Sequence, residues 1–118
     1  MPNELEVSAF LDEFKAKMKI WDVVFRDDRG KNTQTLLELE MSYAAAKTVL
    51  ENLEIADYSE GPVEDRLNKG PDLWVFGKTI QKREVYIKIT LGAFGASVIC
   101  ISFHFAERPM QYPLKPEP

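Results

Sequence analysis

Apolar residues in this chain repeat with two periods, and the change from one to the other marks its layout. Val7, Phe10, Leu11, Phe14 and Met18 fall at i, i+3, i+4, i+7 and i+11, the single stripe of an amphipathic helix, predicted over residues 4–19. Glu4, Glu6, Asp12 and Glu13 come early and Lys15, Lys17 and Lys19 late, as the helix dipole favours. Near the other end, Glu84–Leu91 and Val98–Phe105 alternate with period two. Val85, Ile87, Ile89 and Leu91 point one way, and Tyr86, Lys88 and Thr90 the other. In the second run Ile99, Ile101, Phe103 and Phe105 share a face, opposed by Cys100, Ser102 and His104. Two glycines in the loop between them predict an antiparallel hairpin.

The remaining segments fill in around these. Ile20–Arg26 is rich in β-formers and predicts an edge strand, followed by a solvated turn over residues 27–32. Asn32 or Thr33 caps a short helix through Glu40, and Ser42 caps another through Leu53, with Ala45, Val49, Leu50 and Leu53 inward. Residues 57–71 read as a polar connection, 73–80 as a strand, and Gln81–Arg83 as the turn into the hairpin. Four of the seven prolines lie in the last ten residues, so residues 109–118 read as an extended tail. The expected architecture is α+β: one domain over residues 1–108, its N-terminal helices packed on one face of an antiparallel sheet that ends in a C-terminal β-meander.

Composition narrows the class. The 118 residues are 45% hydrophobic, enough for one domain with a core. No apolar run reaches the ~20 residues of a membrane span, and the acidic, amphipathic N-terminus does not fit a signal peptide, so the chain reads as cytoplasmic. Cys100 is the single cysteine, in a core strand, which leaves no disulfide framework, no zinc site and no cofactor expected. Net charge is −4, unevenly spread: residues 1–65 hold 7 Lys/Arg against 15 Asp/Glu, residues 66–118 hold 8 against 4. A basic sheet half on an acidic helical half permits a local anion-binding face.

With Leu91 opposite Ser97, Tyr86 lies across from Ser102, with Lys88 and His104 on the same surface. If Lys78 pairs with Tyr86, then Trp74, Phe76 and Lys78 join that face, although Gly77 could mark a bulge. A phenol, an ammonium and the chain's one imidazole then converge on one sheet surface, the most function-like feature of the chain.

Residues 36–104 resemble the MqsR family of bacterial toxins within the RelE/ParE-like superfamily. The resemblance rests on Leu36-Leu-Glu-Leu39, Leu53–Tyr58, Leu73-Trp74, Val85-Tyr86-Ile87-Lys88-Ile89-Thr90 and Val98–Phe103, in that order and spacing. It implies a metal-independent endoribonuclease, an mRNA interferase of a type II toxin–antitoxin system, held inactive by a cognate antitoxin. Tyr86 matches the family's active-site tyrosine, Lys88 the lysine two residues on, and His104 falls where a catalytic lysine follows Ser-Phe. Two polar positions of the family pattern differ: a glutamine beside the strand tryptophan is Val75 here, and a lysine position falls near Glu60. The expected site is therefore His104, Tyr86 and Lys88 as catalytic residues, with Lys78, Arg83, Arg108 and Trp74 contacting RNA. The alternative is a non-catalytic binding or regulatory module that docks a protein on the same sheet face and tail.

Overall fold

The N-terminal helix α1 (Glu4–Trp21) starts at a capping box: the Asn3 side chain accepts the Glu6 amide at 2.9 Å, and the Glu6 carboxylate accepts the Asn3 amide. Its stripe Val7, Phe10, Leu11, Phe14 and Met18 is buried, as its spacing requires. In this computed structural model, which describes residues 2–116, the chain then runs β1 (Val23–Phe25), α2 (Lys31–Leu39), α3 (Tyr43–Glu51) and a 3₁₀ turn (Ile55–Asp57). Strands β2 (Tyr58–Val63), β3 (Leu73–Ile80), β4 (Arg83–Thr90) and β5 (Val98–Phe105) follow. The fold is α+β, as expected. The five-stranded sheet has the order β1-β5-β4-β3-β2, with β2 to β5 an antiparallel meander and β1 parallel to β5.

One face of the sheet is sealed by the helices. Phe76, Val85, Ile87, Ile89, Val98, Cys100 and Phe103 pack there with the α1 stripe and with Leu36, Leu39, Ala46 and Leu50. Each large side chain buried this way contributes roughly 1.5–3 kcal/mol. A one-residue slip would turn this apolar set out to solvent, so its burial sets the strand register.

The register differs from the sequence reading at two places. β3 and β4 are joined by a two-residue turn, Gln81 and Lys82, both at positive φ (52° and 67°), with Ile80 opposite Arg83. Tyr86 therefore pairs with Gly77, and Lys78 with Val85. That one-residue difference moves Trp74, Phe76 and Lys78 to the helical side. Trp74 stacks on Phe10 with ring centroids 4.6 Å apart, and the Lys78 ammonium bonds the Asp57 carboxylate at 3.0 Å. The β3–β4 pairing runs unbroken through Gly77, so that glycine marks no bulge.

The second difference is a bulge in β5. Ile89 pairs with Cys100 and Lys88 with Ser102, leaving Ile101 unpaired. The inward set thus changes phase, from Val98 and Cys100 to Phe103 and Phe105, rather than Ile99 and Ile101 joining it. The displaced backbone is satisfied by one side chain. Buried Asn32 donates to the carbonyls of Ile101 (3.0 Å) and Arg26 (2.5 Å) and accepts the Phe103 amide at 2.8 Å. Thr35 accepts the Phe105 amide at 3.2 Å. Beyond the short β1, α2 thus covers the edge of β5. Asn32 sits inside the helix, not at its cap; the Asp27 carboxylate takes the cap role, accepting the Asn32 and Thr33 amides and the Thr33 hydroxyl.

The stretch read as a polar connection contains β2, an irregular edge strand with two register shifts against β3. The tail is extended but tied down. Met110 and Tyr112 bond Glu84 at 3.0 and 2.7 Å, and Leu114 packs against the core. A Cβ on Gly77 would overlap the Tyr112 hydroxyl, so the absence of a side chain there is what lets the tail cross β3. Residues 117–118 of the expected tail lie outside the described residues. No helix is long and apolar enough to cross a membrane.

Candidate functional site

The face away from the helices is open in its middle. At one end the 64–72 loop covers it, with Thr90 donating to the Pro71 carbonyl at 3.1 Å. At the other the tail crosses at Tyr112. Between them lies a cleft of about 620 Å³ lined by Tyr86, Lys88, Ser102 and His104, with Glu60 and Arg108 at its sides. A second hollow of about 400 Å³, beside Arg26 and Arg66, shares Lys88, Ser102, His104 and Arg29 with the first. The shared residues form a ridge between two parts of one groove.

Tyr86 pairs with His104, not with Ser102, because the hairpin starts one residue further along than the reading, with Thr90 opposite Ile99, and the bulge carries β5 forward by one more. Their rings stack at 5.2 Å between centroids with 13° between planes. His104 Nδ1 lies 3.0 Å from the Phe105 carbonyl, which can only accept, so Nδ1 bears the hydrogen and Nε2 is the free nitrogen. Lys88 pairs with Ser102, one step along, and its ammonium lies 5.9 Å from the Tyr86 ring centroid. Among the described residues Lys88, Arg29 and Arg108 form no ion pair, whereas Arg26 pairs with Asp28 and Lys31 with Glu107. Burial, with the charge of Glu60 second, pushes the Tyr86 phenol above its ordinary range. It stays a neutral hydrogen-bond donor. Burial pushes the Cys100 thiol up as well, and that thiol bonds the Ser102 carbonyl, so it is a packing group.

Of the residues expected at the site, the structure brings together Tyr86, Lys88, His104 and Arg108. Lys78 and Trp74 face the helical layer, for the register reason given above. Arg83 lies flat against Phe105, its guanidinium carbon 3.4 Å from the ring centroid, on the same side as Val85 and away from the cleft. Sequence reasoning missed Arg29 and Glu60. Arg29 belongs to the turn after β1, and only the parallel pairing of β1 with β5 brings that turn to His104. Glu60 was hidden in the unrecognised β2. Among the described residues no group of three His, Cys, Asp or Glu side chains comes together as a metal site.

No protein-family model, no curated protein and no solved structure matches this chain.

Proposed function

We propose that this protein is an endoribonuclease that cleaves RNA through the ribose 2′-hydroxyl without a metal, an mRNA interferase of the MqsR type. The single observation that carries the reading is the stacked Tyr86–His104 pair beside an unpaired Lys88 on an open sheet face. A central-strand lysine with no carboxylate partner loses solvation for no structural return; an anionic ligand supplies the missing charge. In this reading Lys88, with Arg29 and Arg108, holds the scissile phosphate and neutralises the charge that grows on it. Tyr86 donates a hydrogen bond to a phosphate oxygen, and His104 Nε2 moves the proton. The groove continues on both sides of the ridge, which suits a single strand passing through. The resemblance carried by Tyr86 and Lys88 makes a cognate protein antitoxin the partner that restrains the enzyme.

The test is incubation of the wild type and of His104→Ala with a long RNA in excess EDTA. The reading expects cleavage by the wild type and loss of at least about 100-fold in the variant. Equal, negligible turnover by both would favour a binding module.

A further inference from the structure

The sheet ends on one side in β1, and β1 is open along its outer edge. The Asp22 carbonyl accepts the Val98 amide at 3.2 Å, and the Arg26 amide donates to the Cys100 carbonyl at 2.9 Å. Backbone groups alternate along a strand, so Val24 turns its amide and carbonyl to β5, and Val23 and Phe25 turn theirs outward. Among the described residues the Phe25 amide and carbonyl have no partner on that edge, and the Val23 amide is held only by its neighbour's side chain, Asp22 Oδ1 at 2.8 Å. Helix α2 covers the strand edge beyond β1, so the gap has room only for a strand as short as β1 itself. The opposite edge, β2, carries two register shifts and offers no comparable ladder. Apolar side chains that the fold leaves out stand beside the same strand. Trp21 and Val24 are each 50% exposed, and Tyr43, whose ring packs on Phe25 at 5.1 Å, is 44% exposed.

We propose that β1 is the surface through which two copies of this chain pair, antiparallel, about a two-fold axis at Val24. The strand is complementary to itself in backbone, apolar surface and charge. With Val24 opposite Val24, the Val23 of each copy comes opposite the Phe25 of the other. These are the residues whose amides and carbonyls point outward, so each such pair exchanges both its N–H···O bonds. The exposed Val24 side chains meet at the axis, in the kind of pair that brings side chains closest. Asp22 stands at one end of the strand and Arg26 at the other, so the same register sets the Asp22 of each copy opposite the Arg26 of the other. Asp22 bonds Lys47 through Oδ1 and Arg26 bonds Asp28 through one nitrogen, which leaves both with atoms for a second ion pair. The Asp22 carboxylate covers the Val23 amide in the single chain and yields it to the Phe25 carbonyl of the other copy. Any strand could satisfy the backbone; the self-complementary order of the charges selects a second copy. The axis stands perpendicular to the sheet, so the two sheets become continuous and both open faces lie on the same side. The pairing is independent of the chemistry in the clefts.

The test is sedimentation velocity of the wild type and of Val24→Asp from about 1 µM to about 300 µM, the range of a small interface. The wild type is expected to pass from monomer to dimer across it. Val24→Asp sets two carboxylates face to face at the axis and is expected to stay monomeric. Val24 is half exposed and lies outside the core, so an unchanged melting temperature separates loss of pairing from loss of fold. A third variant, Val24→Cys, reads the register. Cα atoms in such a pair lie about 4.5 Å apart, within reach of a disulfide, and Cys100 is buried and takes no part. Under mild oxidation Val24→Cys is expected to link two copies at least about 10-fold faster than Leu67→Cys, a more exposed position away from β1. A wild type that stays monomeric at the highest concentration, or a Val24→Asp variant that dimerises as the wild type does, would overturn the pairing. Val24→Cys that links no faster than Leu67→Cys would overturn the register.

Discussion

The Asn32 side chain accepts the Phe103 amide at 2.8 Å, joining the first turn of α2 to the bulge of β5. That one contact underlies the site, because without the bulge the register of Thr90 with Ile99 would set Phe103 across from Tyr86 and turn His104 to the helical side. Replacing Asn32 by the similarly sized Leu leaves the Phe103 amide and the carbonyls of Ile101 and Arg26 buried without partners. We expect a loss of about 3 kcal/mol in denaturant unfolding. In the fraction that still folds, cleavage is expected to fall more than for a surface variant of equal stability.

Asp27 acts on the same turn from outside. Thr33, first among its partners, and the Asn32, Thr33 and Gly30 amides hold its carboxylate below the ordinary range. A carboxylate with a lowered folded-state value stabilises above its unfolded value and loses that stabilisation as the pH falls through the folded one. Asp27→Ala is expected to cost about 1 kcal/mol at neutral pH. It should also flatten the fall in stability below about pH 4, read as melting temperature against pH.

The tail has the opposite sign. Burial, and then the Glu84 carboxylate that its hydroxyl bonds, push the Tyr112 phenol well above its ordinary 10.0. A group whose folded value is raised contributes fully below its unfolded value and is lost as the pH rises towards the folded one. Stability is expected to drop above about pH 10, and Tyr112→Phe should remove part of that drop. Gly77→Ala should release the tail without a pH dependence, since the added methyl meets the phenol directly. Limited proteolysis within residues 109–116 checks this.

The opposite face gives a control. Trp74→Ala is expected to cost about 3 kcal/mol, because the ring stacks on Phe10 in the core. Its effect on RNA affinity should follow stability alone. Arg108→Ala, on the cleft, should leave stability unchanged, weaken RNA binding and reduce its salt dependence. Fluorescence titration with a single-stranded RNA at two salt concentrations separates the two.

The parts of this fold that were legible in the sequence are those whose signal is local. The α1 stripe, the Ser42 cap and the hairpin each announce themselves through spacing or a single side chain. The face assignments did not, because a one-residue change in pairing reverses them. The Gln81–Lys82 turn uses two positive φ values without glycine or asparagine, so nothing in its residues indicated a two-residue loop. The β5 bulge is filled by Asn32, 69 positions from Ile101, and Ile99 and Ile101 are as apolar as the residues that are buried in their place. Strand β2 is masked by Gly61 and Pro62; Gly61 sits at φ 116°, where a Cβ would meet the Leu73 carbonyl at 2.8 Å. Tyr86, Lys88 and His104 shared one face in the reading because alternation along each strand survives an even shift. Lys78 and Trp74 did not, because theirs was odd.

Lys88 and Lys78 lie on neighbouring strands of one sheet, one towards the cleft and the other against Asp57. The most direct measurement compares the wild type, Lys88→Ala and Lys78→Ala for release of 2′,3′-cyclic phosphate ends from a long RNA in EDTA. Cyclic ends from the wild type, about 100-fold fewer or less from Lys88→Ala, and wild-type levels from the folded fraction of Lys78→Ala are the expected result. No cyclic ends from the wild type, or equal activity in Lys88→Ala, would contradict the account.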